Sequence, residues 1–154
     1  MKARTLVLNV FVCLFALVVY AADNPNMGTW KLNEAKSKFP PGATRNNTVV
    51  YTADGDNIKV TTDGVDKDGK AVHTEWVGKF DGKDYPVTGA DAGTTRSYKQ
   101  VNERTLDLST KVNGKESSHG KIEVAKDGKT RTVDLEASAP DGKKMKSRAV
   151  YDHQ

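Results

Sequence analysis

From residue 44 onward the chain repeats one pattern, a short segment in which apolar side chains fall at every second position, followed by a turn signal. The in-phase sets are Ile58 and Val60; Val72, Trp76 and Phe80; Leu106, Leu108 and Val112; Ile122 and Val124; Val133, Leu135 and Ala137. A period of two is that of a β-strand, whose successive side chains point to opposite faces, so each set marks a face turned inward. Out-of-phase positions carry Lys59, His73, Glu75, Lys79, Asp107, Lys121, Glu123, Asp134 and Glu136. One side dry and one side wet is the pattern of antiparallel sheet. The turn signals are Asp54-Gly55, Asp68-Gly69, Asp81-Gly82, Asn113-Gly114, Asp127-Gly128 and Asp141-Gly142. Such pairs tolerate the positive φ of tight hairpins, so consecutive strands are expected to be antiparallel neighbours.

The spacing predicts strands over 27–33, 45–53, 57–65, 70–80, 83–88, 94–100, 105–112, 115–125, 130–138 and 143–151. One helical turn is predicted over 34–38, ended by Pro40 and Pro41. A meander of this length left open would expose long unpaired edges, and closing it removes them. The expected fold is all-β, an antiparallel up-and-down β-barrel of about eight to ten strands with very little helix. Pro86 removes a backbone donor, which predicts an edge strand or a loop rim for Tyr85 to Gly89. The loop from Gly89 to Gly93 is either an ordinary connection or, with its glycines, a flexible gate to an opening.

The N-terminus sets the compartment. Lys2 and Arg4 precede an apolar run from Thr5 to Tyr20, and Ala21 and Ala22 supply small residues for cleavage. This predicts a secretory signal peptide over 1–21 and a single domain over 22–154, in the periplasm or secreted. The run is short for a membrane span and lacks a basic stop-transfer flank, so no membrane association is expected after cleavage. Cys13 falls inside the signal, leaving the mature chain without a thiol for a disulfide, a zinc site or a nucleophile. The net charge of +4 falls to +2 without Lys2 and Arg4, and the remaining charges alternate in sign, as at Lys67, Asp68 and Lys70. That is a solvated surface rather than a phosphate-binding footprint, so nucleic acid is not an expected partner.

Few residues invite chemistry. His73 and Glu75 share a strand face and could, with His119, ligate zinc or copper, but that face is the outward one, and solvated cross-strand pairs are the simpler expectation. Asp66-Lys67-Asp68-Gly69 and Asp54-Gly55-Asp56-Asn57 superficially resemble calcium loops; the first carries Val77 where a carboxylate is needed. Ser117, Ser118 and His119 are adjacent and so alternate between faces, and no Gly-x-Ser-x-Gly elbow exists. No catalytic residue, metal or cofactor is assigned, and an enzyme is not expected.

The first mature strand reads Gly28-Thr29-Trp30-Lys31-Leu32-Asn33, and Gly-x-Trp at this place resembles the signature of lipocalins and related fatty-acid-binding-type barrels. The longer segments GTWKLNEAKSKF and DGVDKDGKAVHTEWVGKFDGKDYPVTG and the terminal AVYDHQ resemble small exported bacterial lipocalin-like proteins of unassigned activity. The resemblance implies a calycin-type barrel with a structural signature of Gly28, Trp30 and a basic residue of the last strand, Arg148 or Lys146, packed across the indole. It also implies a small apolar or amphipathic ligand in the lumen; the inward candidates Tyr51, Trp76, Phe80, Arg96 and Tyr98 are expected to line it, with the aromatics simply constituting the core as the alternative, and a monomer is expected. The alternative is a filled barrel contacting another envelope protein or a polysaccharide. Arg96 shares a strand face with Thr94 and Tyr98; if that face is interior, Arg96 is a buried cation that needs an anion.

Overall fold

A computed structural model describes residues 24–138 and 142–154; the expected signal peptide, residues 1–21, lies outside the described residues. The strands are β1 (Gly28–Leu32), β2 (Arg45–Asp54), β3 (Asn57–Val65), β4 (Ala71–Gly78) and β5 (Tyr85–Gly89), then β6 (Thr94–Asn102), β7 (Thr105–Val112), β8 (Lys115–Val124), β9 (Thr130–Ser138) and β10 (Lys144–His153). Each pairs antiparallel with its neighbours in sequence, and β1 pairs with β10 to close the barrel. The helical turn shrinks to a 3-10 turn, Glu34–Lys36, whose Lys36 N–H is capped by the Asn33 side chain at 3.2 Å.

Hairpin chemistry does what the turn pairs predicted. At Asn113-Gly114 both residues have positive φ, 51° and 76°, the two-residue geometry whose twist matches the flanking strands. The hairpins alternate between the two ends of the barrel. Turns 66–70, 90–93 and 113–114 lie at one end, with the approach to β2; turns 55–56, 79–84, 103–104 and 125–129 lie at the other, with residues 24–27.

The inward phase converges on one core containing Trp30, Val60, Trp76, Leu106, Ile122 and Val133, with Leu108 and Leu135 packed against it. Two expectations need correction. Val112 is 42% exposed, because it ends β7 where the hairpin leaves the sheet. β5 is not an edge: Pro86 pairs with Thr95 of β6, while only Val87 to Gly89 pair with β4, so the missing N–H falls where β4 offers no partner.

Candidate functional site

Trp30 is fully buried and forms one floor of the interior. Its Nε1 donates to the Asn26 carbonyl at 3.0 Å, and the His153 ring stacks on it at 4.3 Å and 11°. Gly28 permits that stacking, since a Cβ there would lie 2.5 Å from His153 Nε2. The cation across the indole is Arg131 of β9, with Cζ 4.9 Å from the ring centroid. The same guanidinium lies 4.9 Å from the Tyr51 ring and 4.8 Å from the Tyr151 ring. Each such contact contributes about 0.5–2 kcal/mol, more when desolvated.

Neither Arg148 nor Lys146 takes this place. On β10 the inward positions are odd-numbered, as buried Ala149 and Tyr151 show, so Lys146 and Arg148 point to water. Arg148 instead forms a two-pronged pair with Asp134, Nε to Oδ1 at 2.7 Å and Nη2 to Oδ2 at 2.8 Å. That pairing holds the Asp134 carboxyl below its usual range. The signal for Arg131 was in the sequence: it stands in phase with Val133 and Leu135, a charge on a dry face.

Beyond the floor the aromatic side chains meet. Trp76 and Tyr98 stack edge to face at 4.7 Å, Trp76 meets Phe80 at 6.5 Å, and Tyr51 lies 6.3 Å from both Phe80 and Tyr98. Trp76 Nε1 donates to the Arg96 carbonyl at 2.8 Å, which ties the cluster to β6. Trp76 and Phe80 fill the barrel toward its 79–84 end, whereas Tyr51 and Tyr98 stand at the boundary of open space.

That open space is a cavity of about 220 Å³, small beside typical ligand pockets. Tyr51, Tyr98, Tyr151, Arg96 and Arg131 line it, and Thr44 and Asp91 place its mouth at the 90–93 end. Arg96 does face the interior; its side chain is 13% exposed, and Nη2 lies 3.3 Å from Asp91 Oδ2. Nε of Arg96 and both Nε and Nη1 of Arg131 are buried with no hydrogen-bond partner among the described residues. Burial lifts the Tyr98 hydroxyl far above the usual phenol range against the pull of Arg96, and burial pushes Tyr151 up to about 12 against that of Arg131. Both phenols therefore stay neutral and offer hydrogen-bond donors at physiological pH.

No known protein-family profile matches the chain. No curated protein matches it either. Among solved structures it is similar to EF1p2_mFAP2b bound to DFHBI, at TM-score 0.47 and 10% identity over 84% of this chain and 94% of that one. It is also similar to a redesigned β-barrel, mFAP1, bound to DFHBI, at TM-score 0.46 and 13% identity over 86% of this chain and 99% of that one.

The outer surface offers less. A recess of about 850 Å³ crosses the outward face of β6 to β10, walled by Lys99, Asp107, Lys121, Asp134, Glu136 and Lys146. Among its charges, Glu136 pairs with Lys144 and Lys146, and Asp134 with Arg148. His73 lies on the exposed face with Asp63 Oδ1 at 2.6 Å and Glu75 Oε1 at 3.5 Å, while His119 pairs with Glu116 at 2.9 Å on β8, four strands away around the barrel. His73, Glu75 and His119 are thus not brought together. Among the described residues no group of three or more His, Cys, Asp or Glu could hold a metal ion.

Proposed function

We propose that this protein is an exported binding protein that holds a small amphipathic molecule in the barrel lumen. One observation carries the reading: a cavity inside the closed barrel combines aromatic and aliphatic walls with two buried arginines, three of whose nitrogens have no hydrogen-bond partner among the described residues. Concave, mostly apolar sites with a few convergent polar groups are where proteins take small molecules. Lipocalin-like kinship is supported by Gly28-x-Trp30 at the floor and an arginine across the indole, and export by the signal-like residues 1–21. Tyr51, Tyr98 and Arg96 would touch the ligand, while Trp76 and Phe80 support them from the packed half.

Native mass spectrometry of protein freshly purified from its export compartment tests this, alongside saturable binding of the neutral probe N-phenyl-1-naphthylamine. Binding is expected in the wild type and should fall at least about tenfold in Thr110→Trp, which places an indole at a cavity-lining position near the mouth. A folded protein with no co-purified molecule, and no probe binding that Thr110→Trp weakens, would sink the proposal.

A further inference from the structure

Resting on that reading of the lumen, we infer that the ligand is a compact, neutral, polyhydroxylated ring, a monosaccharide or a cyclitol, held by a collar of hydroxyl and amide side chains above the aromatic floor. Strand phase builds the collar. Thr110 stands in phase with Leu106 and Leu108 on β7, Ser118 with Ile122 and Val124 on β8, and Ser147 with Ala149 and Tyr151 on β10. Three hydroxyls therefore occupy inward positions that alternation otherwise gives to apolar side chains. Thr110 and Ser118 are direct cross-strand partners, and Asn46 joins them from β2, where the register shifts between Asn46 and Thr48. All four line the cavity and are partly exposed, and none of the four side chains has a hydrogen-bond partner among the described residues.

The chemistry of that collar selects among ligands. A hydroxyl both donates and accepts hydrogen bonds, as does a carboxamide, so the collar is matched by a molecule whose own groups do the same. An alkyl chain lying across it would strip water from four polar side chains and return no hydrogen bond. An anion is disfavoured as well. The unpartnered nitrogens of Arg96 and Arg131 are buried, Nη2 of Arg96 is taken by Asp91 at 3.3 Å, and the half-exposed Asp91 carboxylate stands at the mouth with a charge of the wrong sign. Size points the same way: about 220 Å³ is below the range of about 300–1,000 Å³ usual for ligand pockets, and suits a single six-membered ring better than a long acyl chain. Such a ring would lay its C–H face against Tyr51 and Tyr98 at the aromatic boundary and turn its hydroxyls to the collar.

Myo-inositol and cyclohexanol share a six-carbon ring and differ in the number of hydroxyls, which separates this inference from the reading it rests on. The ¹⁵N-labelled full mature chain is titrated at neutral pH with myo-inositol, D-glucose, D-galactose and D-mannose, and with cyclohexanol, and binding is followed through the backbone amides. At least one of the four polyols should bind at least about tenfold tighter than cyclohexanol, because a site built to bond hydroxyls rejects an analogue that lacks them. That polyol should also displace N-phenyl-1-naphthylamine. Ser118→Ala and Thr110→Val, which remove one hydroxyl each with little change of shape, should each narrow the gap between polyol and cyclohexanol about fivefold. Cyclohexanol binding as tightly as every polyol, or a gap that neither substitution narrows, would mean a collar that is merely solvated, and overturns the inference while leaving the lumen reading intact. Binding of the naphthylamine with no polyol bound, or with none able to displace it, has the same consequence. Failure of the naphthylamine and of all five ring compounds to bind overturns both.

Discussion

At the scale of single residues, phase along a strand decides what a charged side chain does. Arg131 and Arg148 are both arginines on adjacent paired strands, yet one lies among three rings and the other grips Asp134 in water. His73 shows the outward case in titratable form. Its hydrogen bond to Asp63, and then that to Glu75, favour the imidazolium and raise its pKa above the ordinary value of 6.5. Because the folded value is the higher one, whatever this contact contributes to stability is present below the ordinary value and lost as pH rises through the raised one. An NMR titration of the His73 ring should therefore give a pKa above 6.5 that moves back down in Asp63→Asn. An unshifted midpoint in the wild type would show that the pair does not persist in solution. Most inward positions were legible from period alone, but the partner of Trp30 was not: the resemblance points to the last strand, although Arg131 stands in the dry phase of its own strand.

At the scale of elements, turns and register divide the work. The strands at Asn57–Val65, Thr105–Val112 and Thr130–Ser138 begin and end where alternation and turn residues predicted. β5 was harder, since a proline inside five residues cannot say whether its strand is an edge or merely lacks one ladder bond; only pairing with both neighbours settles that. The glycines of these connections are not equivalent. Gly114 has φ 76° with open space around it, so Gly114→Ala should cost about 1–2 kcal/mol of backbone strain alone. Gly89 has φ 85° and, in addition, a Cβ there would lie 2.3 Å from the His73 carbonyl oxygen, across the β4–β5 pairing. Urea unfolding should place Gly89→Ala clearly below Gly114→Ala in stability. The reverse order would mean that β5 yields easily.

At the scale of the molecule, closure is the feature on which the cavity depends. β1 is held to β10 at Trp30↔His153, Lys31↔Asp152 and Leu32↔Tyr151, and the Gln154 N–H donates to the Thr29 carbonyl at 3.0 Å. Removing residues 150–154 takes away that seam, the ring stacked on Trp30 and the Tyr151 face of Arg131. The truncated chain should lose its sharp cooperative unfolding transition and its near-ultraviolet circular dichroism, while a chain lacking only Gln154 keeps both. Retention of a native-like transition by the shorter chain would show that the meander stands without its seam. The cavity itself could not be read from the sequence, because the same alternation fits a filled or a hollow barrel and only the volumes of facing side chains decide between them.

The seam joins the earliest and latest strands of the described chain, so synthesis and folding are tied together in time. Until residues 151–153 are free to pair, Trp30 has no lid and two bare sheet edges face the surroundings. Pairing across so long a loop is slow, so the seam is expected to form late in folding. The same delay makes that interval the one in which chaperone protection matters most.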